Sequence, residues 1–348
     1  MTSDPDILFD RRGAAGIVTL NRPQALNAVT HGMVRALRAE LEAWQDDPAV
    51  DRVIVVAAGG RAFSAGGDLR HLYDLGRAGR TEEMLEFWRD EYALNAVIKR
   101  YRKPYVSLID GIVMGGGVGV SIHGSHRVAG DKFLFAMPEV GIGFFPDVGA
   151  TWFLPRLPGK TGTFCALTAE RFRPDDAVAS GVATHRVPSG RFADLLDGLC
   201  GTVPVDALLA AFAEPVGEGG IARQRPAIDR HFAGETVEDI LASLESGTKQ
   251  AEWSRALAAT IRAKSPLSLK IALAQIRRGR HWTFEDCMRA EFRIVSRIIR
   301  GEDFYEGVRA VIVDKDNSPR WRPASLAEVG AADVERHFAP LDRELALP

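Results

Sequence analysis

Apolar positions in the first half of the chain follow two alternating spacings. Residues 16–20 (GIVTL) read as a strand, and the Asn21-Arg22-Pro23 turn cannot continue it. From Thr30, a fitting N-cap, the apolar Val34, Leu37, Leu41 and Trp44 recur at helical intervals. Residues 53–57 (VIVVA) form a continuous apolar run between Asp51 and Gly59, the pattern of a strand covered on both faces, and 104–109 repeat it. A second helix is expected over 81–100, with Thr81 as its cap and Leu85, Trp88, Tyr92 and Val97 on one face. Short strands are expected near 127–129 and 132–136. From 190 to 313 the periodicity is mostly helical, with polar breaks near Thr202, Gly217 to Gly220, Gly234 and Gly279. The expected strands thus all lie in the first half. The pattern predicts a mixed α/β core over 1–190 followed by a helical region over 191–348.

Composition narrows the function. A chain of 348 residues buries enough surface to fold without disulfides or a structural metal. The formal charge of −2 provides no excess of cations to displace counterions from a polyanion, so nucleic acid is not an expected partner. Cys165, Cys200 and Cys287 are too few and scattered for a disulfide framework, which fits a reducing, cytoplasmic setting. The acidic start, Met-Thr-Ser-Asp-Pro-Asp, has no apolar core and reads as neither a secretory signal nor a transit peptide. No apolar stretch is long enough for a membrane span.

Candidate chemistry lies in two glycine-rich loops, 59–68 and 115–117, each leaving the C-terminal end of an apolar strand. Glycine lets a backbone N–H approach a ligand closely, so two such loops side by side could direct one donor each at a developing oxyanion. Gly115-Gly116-Gly117 taken alone equally fits tight helix–strand packing. It lacks the spacing of a dinucleotide fingerprint, and no Gly-Lys-Ser/Thr follows for a phosphate loop. Ser64 lacks the first glycine of a nucleophile elbow. His123 and His126 have no acidic partner between them and read as a pair at the surface end of a helix rather than as a metal site.

Four ordered motifs then carry a resemblance: Asn21-Arg-Pro-Gln-Ala-Leu-Asn27, Ala62-Phe-Ser-Ala-Gly-Gly-Asp68, Lys103-Pro-Tyr-Val…Gly111-Ile-Val-Met-Gly-Gly-Gly-Val-Gly119 and Met137-Pro-Glu-Val-Gly-Ile-Gly143. Together they resemble the crotonase superfamily, the enoyl-CoA hydratase/isomerase enzymes. The resemblance implies a spiral of ββα turns as the core and an acyl-CoA as the bound partner. It also implies a thioester carbonyl held by the backbone N–H groups of Gly67 and Gly116. Coenzyme A would enter as part of the substrate, with no separate cofactor and no metal. Homo-oligomerisation is compatible with the family.

One departure from the family pattern directs the chemistry. Family hydratases use two glutamates, a base for the water and an acid for the α-carbon. The first position here is Gly119, leaving Glu139. A new carboxylate, Asp147, follows in Gly143-Phe-Phe-Pro-Asp-Val-Gly149; alone it also reads as a helix cap. Phe87-Trp-Arg-Asp-Glu-Tyr92, Phe153-Leu-Pro-Arg-Leu157, Gly181-Val-Ala-Thr-His185 and the stretch from Glu306 to Trp321 resemble the 3-hydroxyisobutyryl-CoA hydrolase branch, a thioesterase group of valine breakdown. That branch implies catalysis by Glu139 and Asp147, with Glu91, Gly116, Glu139 and Asp147 contacting substrate. Without the resemblance, Glu91 reads as a solvated helix residue. The alternatives are a hydratase or isomerase working through one glutamate, and a non-catalytic acyl-CoA binding protein.

Overall fold

The computed structural model describes residues 5–247 and 250–348. Among the described residues nine strands form two sheets: β1 (Ile7–Arg12), β2 (Ala15–Leu20), β3 (Arg52–Ala57), β4 (Ala62–Ser64), β5 (Tyr105–Ile109), β6 (Ile112–Met114), β7 (His126–Ala129), β8 (Leu134–Ala136) and β9 (His185–Arg186). The larger sheet has the order β1-β2-β3-β5-β7-β9 and the smaller one β4-β6-β8. Each turn of chain therefore adds one strand to each sheet, β3 with β4, β5 with β6 and β7 with β8. This is the ββα spiral that the resemblance implies. Among the nine strands β1 and β2 pair antiparallel and the other strand pairs are parallel; an isolated antiparallel bridge joins Phe135 of β8 to Phe172.

The apolar runs are explained by burial on both faces. In β3, Val53 and Val55 join the main core while Ile54 joins a second apolar cluster. That second cluster lies under the helices Phe192–Leu199 and Val205–Phe212 through Leu195, Leu199, Val205 and Leu209. The main core draws residues from both ends of the chain, Ile7 to Leu345, so the later C-terminal helices pack on the spiral.

Helix α1 (His31–Asp46) starts as expected: Thr30 accepts a hydrogen bond from the Met33 N–H and the predicted apolar positions are buried. Several local expectations are corrected. Strand β1 and helix α2 (Leu69–Arg77) are elements beyond those expected, and the loop 59–68 contains the short strand β4. Helix α3 (Thr81–Lys99) is capped by Arg80, and Thr81 is its first helical residue. Its Val97 is only half-buried. Strand β9 lies just past the middle of the sequence, where its two residues give no readable alternation.

Candidate active site

The three parallel strands of the small sheet end at one place. Gly67 follows β4, Gly116 opens helix α4 (Gly116–Ser121) after β6, and Glu139 opens a 3-10 turn (Glu139–Ile142) after β8. Parallel strands align their C-terminal ends, which is where α/β proteins form ligand crevices. A small cavity of about 60 Å³ is lined there by Gly67, Gly116, Glu91, Glu139 and Asp147, with Phe87, Trp88 and Phe144 among its apolar walls. The structure thus brings all five sequence-predicted residues together.

The loop around Gly67 is held from both sides. Val29 N–H donates to the Gly66 carbonyl at 2.8 Å, and Asp68 N–H donates to the Val29 carbonyl at 3.0 Å. Asn27 supports the preceding segment by donating to the Ala58 and Ala62 carbonyls, and Arg22 pairs with Asp68 at 3.1 Å. The Asn21–Asn27 motif thus acts as a brace for the donor loop. Gly116 is the first residue of α4, so its N–H has no acceptor within the helix. A Cβ on Gly116 would lie 3.3 Å from Gly67 N and 2.8 Å from Glu91 Oε1, so the two backbone segments and Glu91 are adjacent. Gly115 has φ +44, and Gly117 has only 2.5 Å between a hypothetical Cβ and the Ser64 carbonyl oxygen. The glycine triplet therefore serves close packing, and it leaves the Gly116 N–H at the start of α4.

Helix α3 supplies the opposite wall. Glu91 is buried, which corrects its reading as a solvated residue, because that face of α3 packs against α4 and the helix Phe284–Ile298. Its Oε1 and the Oε2 of Glu139 are buried without a hydrogen-bond partner among the described residues. Tyr92 donates its hydroxyl to Asp147 Oδ2 at 2.9 Å. Asp147 does not cap the following helix α5 (Ala150–Phe153); Gly149 holds that position. The Asp147 carboxylate is free to face the cavity because the turn after it is left-handed, with φ +50 at Val148 and +88 at Gly149.

Electrostatics set the chemistry of this group. Burial first, and then the neighbouring Asp147, hold Glu139 well above the usual carboxylate range. Burial, Asp147 and Glu291 do the same to Glu91. Asp147 is pushed up to about 7 by burial, with the Tyr92 hydrogen bond pulling the other way. Burial and the neighbouring carboxyls thus favour the protonated form of each group more than water does.

Sequence reasoning missed four contributors. Tyr92, which the apolar pattern places on the buried face of its helix, also carries the hydroxyl that donates to Asp147. Asn95, one turn beyond Glu91, is fully buried and crowds Gly119. His123 is buried, not at the surface, and donates from Nε2 to the Val148 carbonyl at 2.7 Å; burial pushes its pKa down to about 3, so it is neutral. His126 points elsewhere, to Asp206. Glu291 is the fourth. It falls among Cys287, Met288, Val295 and Ile298 on the buried face of its helix, and a charge on an otherwise apolar stripe was the available signal.

Comparisons with known proteins agree with this architecture. The sequence model for enoyl-CoA hydratase/isomerase matches residues 15–338. The mitochondrial 3-hydroxyisobutyryl-CoA hydrolase of Danio rerio is 44% identical over 98% of this chain and 92% of its own. The human protein of that name is 42% identical over 97% and 89%. A crystal structure named as a carnitinyl-CoA dehydratase from Mycobacterium thermoresistibile superposes with a TM-score of 0.94 at 44% identity, covering 99% of both chains. One named as an enoyl-CoA hydratase from Rhodobacter sphaeroides gives 0.92 at 38% identity, over 99% of this chain and 100% of that one.

Proposed function

The chain belongs to the enoyl-CoA hydratase/isomerase family, and on that premise we propose that it hydrolyses the thioester of a short 3-hydroxyacyl-CoA of the 3-hydroxyisobutyryl-CoA type, a reaction of valine breakdown. One observation carries the choice of hydrolysis over hydration: position 119 has no carboxylate and its space is taken, while Glu139 and Asp147 remain at the donor pair. Hydration across a conjugated double bond needs a base for the water and an acid for the α-carbon. Acyl transfer to water needs an oxyanion hole and one oxygen-delivering carboxylate, roles that Gly67, Gly116 and Glu139 take in this reading, supported by their lining one cavity.

In this reading the thioester carbonyl accepts hydrogen bonds from the Gly67 and Gly116 N–H groups. They stabilise the oxyanion as the carbonyl carbon becomes tetrahedral, and losing one such donor typically costs about 3 kcal/mol of transition-state stabilisation. Glu139 delivers the oxygen by one of two routes. It attacks directly and forms a mixed anhydride that water then opens, or it takes a proton from an attacking water. In both, the C–S bond breaks, the thiolate of coenzyme A leaves and is protonated, and the acid is released.

Asp147 accepts the substrate's 3-hydroxyl, with Glu91 assisting. The small cavity supports a short acyl group. A site built to pair that hydroxyl rejects plain acyl groups, because its own buried polar atoms would be left unpaired. Coenzyme A arrives with the substrate, and water is the only other reactant required. Cys165, Cys200 and Cys287 are free and buried, which supports a reducing compartment.

The solved relatives named as hydratase and dehydratase give the rival reading its support. Incubation with crotonyl-CoA and with 3-hydroxyisobutyryl-CoA, following enoyl absorbance and free thiol together, separates the two. Thiol release from the hydroxylated substrate with stable crotonyl absorbance supports hydrolysis. Loss of absorbance without thiol release overturns it.

A further inference from the structure

Asp147 sits in a turn that the chain does not adopt readily. Val148 is β-branched and left-handed at φ +50, a conformation that is strained for such a residue. The turn is held from three other elements. Glu291, fully buried on the helix Phe284–Ile298, accepts the Gly149 N–H on one carboxylate oxygen and the Thr151 N–H on the other, each at 2.8 Å. His123 holds the Val148 carbonyl at 2.7 Å, and Gln275 holds the Pro146 carbonyl at 2.5 Å. Each strut fixes backbone on one side or the other of Asp147; among the described residues only Tyr92 hydrogen-bonds its carboxylate.

We propose that Glu291 is a positioning residue for recognition of the substrate hydroxyl: by gripping the Gly149 and Thr151 amides it keeps the Val148–Gly149 turn left-handed and Asp147 aimed into the cavity. Glu291 lines no part of that cavity, so it acts through the backbone and not on the substrate. A helix more than 140 residues along the chain thereby sets the acyl selectivity of the spiral. An isosteric amide cannot accept both N–H groups, because its NH₂ end opposes one of them. The expected consequence is a turn that relaxes and an Asp147 that no longer meets the hydroxyl at hydrogen-bond distance.

This inference rests on the proposed hydrolase reading, and the experiment separates the two. Glu291→Gln and Asp147→Asn are compared by kcat/KM for a 3-hydroxyacyl-CoA and for the matching plain acyl-CoA. Both variants should lower the hydroxyl-to-plain ratio by about tenfold or more, the scale of one lost buried hydrogen bond to a charged group. The plain substrate should change less than about threefold with Glu291→Gln, a readout that a merely structural role would not give. Gln275→Met, which frees the Pro146 carbonyl of the same turn, should lower the ratio in the same direction and covers the case in which Glu291→Gln does not fold. If Asp147→Asn lowers the ratio while both other variants reduce the two substrates equally, the positioning role is overturned. If Asp147→Asn itself leaves the ratio unchanged, the hydroxyl reading falls and this inference with it.

Discussion

Asn95 fills the space into which a side chain at position 119 would point: a Cβ on Gly119 would lie 2.8 Å from Asn95 Nδ2 and 3.0 Å from Val148 Cβ. The missing carboxylate is therefore a packed feature of the site. Gly119→Glu should not create a hydratase. It should instead displace Asn95 and the Val148 turn, destabilising the fold by about 2 kcal/mol or more through overpacking and a buried charge. Denaturant unfolding together with a crotonyl-CoA absorbance assay checks both parts; a stable variant that consumes crotonyl-CoA contradicts the argument.

Gly116→Ala tests the donor pair. The added methyl would meet Glu91 Oε1 at 2.8 Å and crowd Gly67 N at 3.3 Å, which are the groups at the proposed carbonyl position. The expected result is a fall in kcat of about 100-fold, within the range for losing one oxyanion donor, with a smaller change in KM. Steady-state kinetics on the hydroxylated substrate reads it.

The buried carboxyls give stability an unusual pH dependence. Glu91, Glu139 and Asp147 have folded values above the ordinary carboxylate range, with burial the largest cause in each. The fold thus favours their protonated forms. Their contribution is complete below the unfolded values, near pH 4, and is lost as pH rises through the folded ones, about 7 for Asp147. Unfolding free energy should fall by on the order of a few kcal/mol between pH 5 and about 9 from this group. Glu91→Gln should flatten the curve, as measured by urea titration across that range.

Tyr92→Phe removes the hydrogen bond that pulls the Asp147 value down while leaving the burial that pushes it up. Asp147 should then ionise at higher pH. For the hydroxylated substrate, the acid limb of kcat/KM should move upward from its wild-type position. A pH–rate profile of the two proteins decides it; a limb that stays in place would detach Asp147 from substrate recognition.

The spiral and its donor loops were legible because glycine and apolar runs record local geometry. Val53 to Val55 show burial on both faces in their composition alone, and Gly115 to Gly117 mark a close approach wherever the chain goes. Glu139 and Asp147 were legible through motifs. The supports of Asp147 were not, because Tyr92, His123, Gln275 and Glu291 come from four separate helical or loop segments and meet only in the fold. Among them, Glu291 left a trace, a lone acid on a buried stripe. The change to helical periodicity marks a division near residue 190, and one apolar cluster draws residues from both sides of it, from Ile7 to Leu345.

The most direct measurement is the initial rate of free thiol release from 3-hydroxyisobutyryl-CoA by the wild-type chain and by Glu139→Gln. The account predicts turnover by the wild type and a loss of about 1,000-fold or more in kcat for the variant, as expected when the oxygen-delivering carboxylate is removed. Equal rates for the two proteins, or no thiol release by the wild type, would contradict it.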